Sequence, residues 1–184
     1  MAKQALLLMD VQRHIVNQLP APEIYLSRAE SALAAARAAD VPVIHVHVVF
    51  RPGHPEIRTG DKAFAPFRGT DHLVMDNPDS LAHPAVAPLP GELVVTKRMI
   101  SAFTGSDLDL LLRSQDIDTL VLAGISTSGA VLSTVRAAGD LQYRQVVLSD
   151  GCVDLDTTVH TVLLERVFPM HADVMTVRAW QESL

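Results

Sequence analysis

The chain has 184 residues, enough for one compact domain with a full hydrophobic core. Hydrophobic residues make up 48% of it and charged residues 20%, which is typical of a folded protein and excludes a disordered one. The formal net charge of -6 argues against binding to the phosphates of nucleic acids, so we expect a small-molecule partner.

Short apolar runs alternate with helical stretches along the chain. The apolar runs predict strands over residues 5–9, 41–50, 92–96, 119–123, 145–148 and 174–177. Periodic patterns predict helices over residues 22–40, 106–114 and 157–168, and one that follows the turn after Gly124 and ends near residue 142. Ser106 is the predicted N-cap of the second helix, with Asp107 at the positive end of its dipole.

This alternation predicts the α/β class, with a six-stranded, mainly parallel sheet and helices on both faces in a three-layer, Rossmann-like arrangement. We expect residues 1–184 to form a single domain. Residues 51–90 differ from the rest, because they hold most of the prolines and few periodic apolar positions. We predict a long irregular excursion there, of the kind that forms lids or binding loops.

The sequence also indicates where in the cell the protein is expected. No apolar stretch approaches the roughly 20 residues of a membrane-spanning helix, and the run at residues 5–9 is too short for the core of a signal peptide. The single cysteine, Cys152, allows no intramolecular disulfide, which is compatible with a reducing compartment. We therefore expect a cytoplasmic protein without a membrane partner.

Three polar features fall at the carboxyl ends of predicted strands, where open parallel sheets bind their ligands. Asp10 ends the first strand, Lys97 ends a middle strand, and Gly124 begins a strand-to-helix turn. The N–H groups at the start of that helix could hold a substrate oxygen. An ion pair without catalytic function is the alternative for Asp10 and Lys97.

The runs LLLMDVQ, VVTKRMISAF, LVLAGISTSGAVLSTVRAAGDLQY and VVLSDGCVD, taken together, resemble the isochorismatase-like hydrolases. The resemblance covers essentially the whole chain. It implies a six-stranded parallel sheet and a homodimer or larger homo-oligomer. We expect no cofactor. The superfamily includes nicotinamidases, carbamoyl-amide hydrolases and isochorismatases, so the resemblance implies a hydrolase.

In the cysteine-hydrolase branch of this superfamily, the triad is an Asp, a Lys and a Cys. The resemblance places the first two on Asp10 and Lys97 and the Cys on Ala130, six positions after Gly124. It also implies a cis peptide bond between Ile125 and Ser126. The N–H groups of Ser126 and Ala130 would form the oxyanion hole.

Alanine supplies no nucleophile, so no covalent intermediate can form at position 130. Ser128 and Ser133 lie near in sequence, but on a helical turn they point away from the direction of residue 130. Cys152 is the only thiol, and we expect it to be buried and inert.

True isochorismatases also resemble this chain in lacking a Cys at that position. By that analogy Asp10 would be a general acid that protonates a vinyl ether, with Lys97 orienting the substrate. The chain lacks the aromatic-Ala-His sequence of that branch and has Ser126-Thr127-Ser128 instead, which argues against isochorismate itself.

Further residues are candidates for contact with the substrate or a metal. We expect Gln12, Arg51, Phe103 and Ser128 to bind substrate, Arg51 because guanidinium groups pair readily with carboxylates. His45 and His47 share one face of a strand, but no Asp precedes them at the spacing of the nicotinamidase metal site. We expect no metal.

Three hypotheses about function remain open at this point. The chain is a hydrolase that works by proton transfer from Asp10 without a covalent intermediate, an amidase-type hydrolase with a displaced nucleophile, or a small-molecule-binding relative that has lost the reaction. The first is the one we favour.

Overall fold

The computed structural model describes residues 3–184, so Met1 and Ala2 of the predicted domain lie outside the described part. Six strands form one sheet: β1 Gln4–Met9, β2 Val43–Val48, β3 Leu93–Lys97, β4 Thr119–Ile125, β5 Arg144–Val153 and β6 Asp173–Met175. Their order is β3-β2-β1-β4-β5-β6, and every neighbouring pair is parallel. The predicted fold class is confirmed.

Helices cover both faces of this sheet. They are α1 Arg13–Val16, α2 Pro22–Ala38, α3 Leu108–Ser114, α4 Leu132–Asp140, α5 Thr157–Val162 and α6 Val177–Glu182. π-Helical turns over Thr127–Val131 and Leu163–Val167 precede α4 and follow α5. Within residues 3–184, none of the helices combines the length and the apolar character needed to cross a membrane.

Strand β1 shows how one sheet supports two cores. Ala5, Leu7 and Met9 belong to a cluster that contains residues of α3 and α4, whereas Leu6 and Leu8 belong to a cluster with α2 and α6. Because successive side chains of a strand point to opposite faces, a wholly apolar strand is the sequence pattern of a sheet covered on both sides.

The excursion between β2 and β3 is irregular, as predicted. Its ordered pieces are short 3-10 turns over Ala65–Phe67, Pro78–Ser80 and Pro84–Val86. A small apolar cluster that includes Phe50, Ile57 and Leu73 anchors it next to the carboxyl end of β2. This segment therefore lies at the edge of the sheet where ligands bind.

Two predictions about helices are wrong. Ser106 is not the N-cap of α3, because the helix begins at Leu108 and Asp107 occupies the cap position without a side-chain hydrogen bond. The Ser106 hydroxyl accepts from the N–H of Leu108 at 3.4 Å, so it still contacts the start of the helix, and it donates to the carbonyl of Ala102 at 2.6 Å. Residues 174–177 are not all strand, because Val177 begins α6, which the sequence did not predict.

Candidate active site

Asp10 and Lys97 meet at the carboxyl end of the sheet although their strands are not neighbours. Asp10 follows β1 in a left-handed conformation with a φ of 59°, and its N–H donates to Val46 of β2 at 2.8 Å. Lys97 ends β3, and its long side chain crosses the end of β2 to place Nζ 2.8 Å from Oδ2 of Asp10. The side chains are only 1% and 8% exposed for Lys97 and Asp10, so this ion pair is buried.

The two oxygens of the Asp10 carboxylate have different surroundings. Oδ2 accepts from Lys97, whereas Oδ1 has no hydrogen-bond partner within residues 3–184. Burial raises the pKa of Asp10 above its ordinary value, and the Lys97 ammonium and, more weakly, the nearby backbone N–H of Val48 act in the opposite direction. A carboxylate with one free oxygen and a raised pKa is suited to accept and return a proton.

The turn between β4 and α4 supplies the second part of the site. The peptide bond between Ile125 and Ser126 is cis. The Ser126 hydroxyl accepts from the N–H of Gly129 at 3.1 Å, and the carbonyl of Ser126 accepts from Val131 at 3.1 Å. Ala130 lies in this turn and is 3% exposed. N–H groups in a first helical turn lack partners within the helix, and they can stabilise negative charge on a bound oxygen.

A close approach between β1 and β4 brings these two parts together. Met9 pairs with Gly124 in the register of the sheet, and Gly124 has a φ of 149°. A Cβ atom at Gly124 would lie 2.3 Å from the carbonyl oxygen of Met9. Glycine is therefore required at this position, because any side chain would push the turn away from Asp10.

Asp10, Lys97, Ser126, Gly129 and Ala130 line one cavity of about 280 Å³. The rest of its wall is apolar apart from the amide of Gln18. These remaining residues are Ile15, Leu19, Val48, Ala63, Phe64, Phe67, Leu73, Ile100, Ile125 and Leu155. The structure thus collects the predicted triad positions and both predicted oxyanion-hole residues at one small-molecule cavity.

The sequence did not identify the walls of this cavity. Phe64, Phe67 and Leu73 come from the excursion, and Gln18 follows the short helix α1. The apolar residues within a segment rich in proline and glycine were a usable signal, because an otherwise polar loop needs a reason to contain them. Their contact with the site depended on how the loop folds back.

The predicted substrate-binding residues lie elsewhere. Gln12 does not line the cavity, since its amide donates to the carbonyls of Val48 and Ser80 at 3.0 and 2.7 Å and accepts from the N–H of Val48. It ties the end of β1 to β2 and to the excursion. Arg51 also lies outside the cavity, with an exposed guanidinium that pairs with Glu56 at 2.6 Å.

Phe103 and Ser128 are also displaced from the cavity. Phe103 packs against the core and stacks on Tyr143, with ring centroids 6.0 Å apart. Ser128 is exposed, and its N–H donates to Asp154 at 2.7 Å. Ser133, the other serine considered as a nucleophile, does not line the cavity either. Neither serine therefore belongs to the cavity wall that contains Ala130.

Cys152 lies outside the cavity that holds Asp10 and Lys97. It is 4% exposed and lines a different cleft, together with Tyr25 and Asp150. Burial raises the pKa of its thiol to about 12, so the nucleophilic thiolate is disfavoured. Cys152 is thus a buried, unreactive thiol in this structure.

His45 and His47 are packed within the sheet. His45 bonds Glu92 at 3.0 Å, and Glu92 also binds Arg37, so the imidazole has a structural partner. Burial lowers the pKa of His47 to about 4. Within residues 3–184, no group of three His, Cys, Asp or Glu side chains is placed to hold a metal ion.

Comparison with known proteins adds to this geometry. The isochorismatase domain matches residues 4–179 of the chain. An uncharacterized isochorismatase family protein of Bacillus subtilis, YwoC, is 30% identical, and the match covers 99% of this chain and 94% of that protein. Maleamate amidohydrolase of Pseudomonas putida is 31% identical over 95% of this chain and 83% of that enzyme.

Among solved structures, an isochorismatase family protein from Burkholderia thailandensis superposes on this chain with a TM-score of 0.88. It is 32% identical, and the match covers 99% of this chain and 95% of that one.

Proposed function

This chain belongs to the isochorismatase family, and we propose that it hydrolyses an amide-type bond of a small molecule by proton transfer through Asp10, without a cysteine nucleophile. The observation that carries this proposal is the Asp10 carboxylate at the cavity, with one oxygen held by Lys97 and the other buried without a hydrogen-bond partner within residues 3–184. The amidohydrolase name of the relative from P. putida supports the choice of an amide bond.

The missing thiol is part of the proposal. The family resemblance assigns the nucleophile to position 130, where this chain has a methyl group in the cavity wall. Cys152 offers no replacement, because its thiol is buried outside that cavity and its pKa is about 12. We therefore assign the attack on the substrate to water.

The reaction proceeds in two steps. In the first, Oδ1 of Asp10 takes a proton from a water molecule as the water oxygen forms a bond with the substrate carbonyl carbon. The N–H groups of Ser126 and Ala130 stabilise the negative charge that develops on the carbonyl oxygen. In the second, Asp10 returns the proton to the amide nitrogen as the C–N bond breaks, which leaves a carboxylic acid and an amine.

Lys97 acts as a positioning residue in this scheme. Its ammonium fixes Oδ2 of Asp10 and leaves Oδ1 free, and it also donates to the carbonyl of Ile100 at 2.5 Å. The pKa of Asp10 is raised by burial but opposed by Lys97, so the carboxylate stays available as a base and becomes a stronger one.

Protonation of a vinyl ether is the second candidate reaction. The raised pKa of Asp10 favours it, because a general acid must hold its proton until the substrate binds. A carbon atom would accept the proton from Asp10, and water would then add to the resulting cation. Because the two reactions use the same side chains, they are distinguished by whether the protein turns over amides or vinyl ethers.

The test compares wild type, Asp10→Asn and Cys152→Ser on benzamide, nicotinamide, maleamate and a simple aryl vinyl ether. We expect amide hydrolysis that is lost in Asp10→Asn and retained in Cys152→Ser and after treatment with iodoacetamide. Hydrolysis that iodoacetamide or Cys152→Ser abolishes would refute the mechanism.

The variant Ala130→Cys distinguishes the proposed enzyme from a binding relative that has lost its catalytic activity. If the wild type is inert on every substrate and Ala130→Cys hydrolyses an amide in a thiol-sensitive manner, the natural protein is a binding relative that has lost its nucleophile. If the wild type is active, Ala130→Cys should change its sensitivity to alkylation, while Asp10→Asn still abolishes turnover.

We also propose that the protein forms a homo-oligomer. No residue of helix α5 is buried, and the apolar side chains of Val159 and Val162 are 39% and 48% exposed. Leu155, which lines the cavity, is 66% exposed beside this helix. Light scattering coupled to gel filtration tests the assembly, and a monomer at all concentrations would refute it.

A further inference from the structure

We propose that the substrate is a neutral, largely apolar amide and that the cavity discriminates against amides that carry a carboxylate. The inference rests on the proposed amide hydrolysis, because it names the class of substrate for the same cavity. It follows from the charges and contacts of the residues that form the wall.

Among the residues described, 3–184, Lys97 and Asp10 are the only charged side chains that line the cavity, and they neutralise each other. Lys97 lies 2.8 Å from Asp10, and its ammonium also donates to the carbonyl of Ile100. A substrate carboxylate would have to share Lys97 with Asp10. It would also bring a second negative charge next to a buried carboxylate, which is unfavourable at low dielectric.

The arginines nearby in sequence do not supply another positive charge. Arg51 pairs with Glu56, and Arg98 donates to the carbonyl of Val49. Arg68 of the excursion binds the Thr59 hydroxyl at 2.5 Å. None of these three lines the cavity. Arg58 of the excursion does not line it, and neither does Arg13 of α1, whose buried Nε has no hydrogen-bond partner within residues 3–184. A carboxylate bound there would therefore lose its hydration without gaining a guanidinium partner.

The wall offers favourable contacts to an apolar substrate. Phe64, Phe67 and Leu73 cover the cavity from the excursion, and Ile100 and Ile125 face it from the sheet side. Such a wall stabilises an aliphatic or aromatic body by removing it from water.

Two uncharged polar groups complete the wall. Ser126 and Gln18 line the cavity; the Ser126 hydroxyl accepts from Gly129, and the Gln18 amide contacts the His14 ring at 3.0 Å. They can hydrogen-bond a neutral amide, hydroxyl or carbonyl group without a charge partner.

The experiment uses 4-methylbenzamide and 4-carbamoylbenzoate, which differ only in a methyl group and a carboxylate. We expect kcat/KM for the methyl compound to exceed that for the carboxylate by roughly 100-fold or more. The methyl ester of 4-carbamoylbenzoate controls for size, because it is neutral and larger, and it should react faster than the free acid. Equal rates, or a preference for the acid, would overturn the inference.

A matched pair of variants tests the cause. Gln18→Arg places a guanidinium at the cavity wall and should raise kcat/KM for 4-carbamoylbenzoate at least about tenfold. Gln18→Met removes the same amide without adding charge and should give no such gain. A gain in both variants would show that shape, and not charge, excludes the carboxylate.

A binding measurement keeps the inference testable if the wild type hydrolyses neither amide. 4-Methylacetophenone and 4-acetylbenzoate present the same contrast on ketones that cannot be hydrolysed. Titration calorimetry with the wild-type protein should give a Kd for the neutral ketone roughly 100-fold lower than for the acid. Tighter binding of the acid, or no binding of either ketone, would overturn the substrate class. Absence of turnover with the expected Kd ratio would refute only the proposed hydrolysis.

Discussion

Replacement of Lys97 by methionine should destabilise the protein strongly, because it leaves the buried Asp10 carboxylate without its cation. Methionine has a similar length and fills the same space, so the change removes mainly the charge. At a separation of 2.8 Å, the attraction within the pair is about 6 kcal/mol at an effective dielectric constant of about 20. Loss of one partner of a buried pair costs about 3–5 kcal/mol, which corresponds to a fall in Tm of about 6–20 °C for a chain of this size.

The loss of stability in Lys97→Met should become smaller as the pH is lowered. Without Lys97, the pKa of Asp10 loses its main lowering influence and rises further. The folded variant then holds a proton that the unfolded chain releases near its ordinary pKa of 3.8. The deficit in the free energy of unfolding should therefore shrink as the pH is lowered from 7 towards that value.

Urea unfolding followed by circular dichroism measures this deficit. Asp10→Asn combined with Lys97→Met should recover more than half of it, because no charge then remains buried without a partner. Arg178→Met is the control, since it breaks the exposed pair of Arg178 with Glu182 at 2.9 Å and should cost less than about 0.5 kcal/mol. A loss of under about 1 kcal/mol in Lys97→Met, or no recovery in the double variant, would refute the assignment of a buried, stabilising pair.

Four further outcomes are expected from the same structure. The acid limb of the pH–rate profile should have its midpoint above 3.8, because the reaction needs the Asp10 carboxylate and burial raises its pKa; a midpoint below that value would contradict this. Cys152 should resist iodoacetamide until the protein unfolds, as mass spectrometry can show, because its thiol is buried with a pKa of about 12. Gly124→Ala should lower the free energy of unfolding by about 4 kcal/mol or more, since a Cβ would meet the Met9 carbonyl at 2.3 Å. Ser126→Ala and Thr176→Ala each remove a capping bond of 3.1 Å and should each cost about 1 kcal/mol in urea unfolding, but only the first should alter turnover.

The site residues that could be predicted from the sequence are those whose positions follow from the ends of parallel strands. Asp10 directly follows β1, Lys97 ends β3, and the turn after Gly124 leads into a helix, so the topology alone brings them to one edge. The close approach at Gly124 is visible in sequence only as a glycine at the end of an apolar run. Its reason, the carbonyl of Met9, appears only in the paired strands.

The predicted substrate-binding residues that do not line the cavity are side chains whose direction depends on distant partners. Gln12 and Arg51 have the right chemistry for substrate binding, but Gln12 is held by Val48 and Ser80, and Arg51 by Glu56. Hydrogen bonds of this kind join residues far apart in sequence or within an irregular loop. No local sequence pattern predicts such hydrogen bonds.

The six strands in chain order, four of the helices, the parallel sheet, and the carboxyl-end position of Asp10 and Lys97 could all be predicted from the sequence. The period of the apolar residues and the rules of chain connection are sufficient for these features. Three features could not be predicted: Lys97 reaches past β2 to Asp10, Cys152 lies in another cleft, and residues 63–73 close an apolar wall over the site. The physical reason is that burial and charge pairing depend on which segments pack together, and those contacts join residues that are remote in the chain.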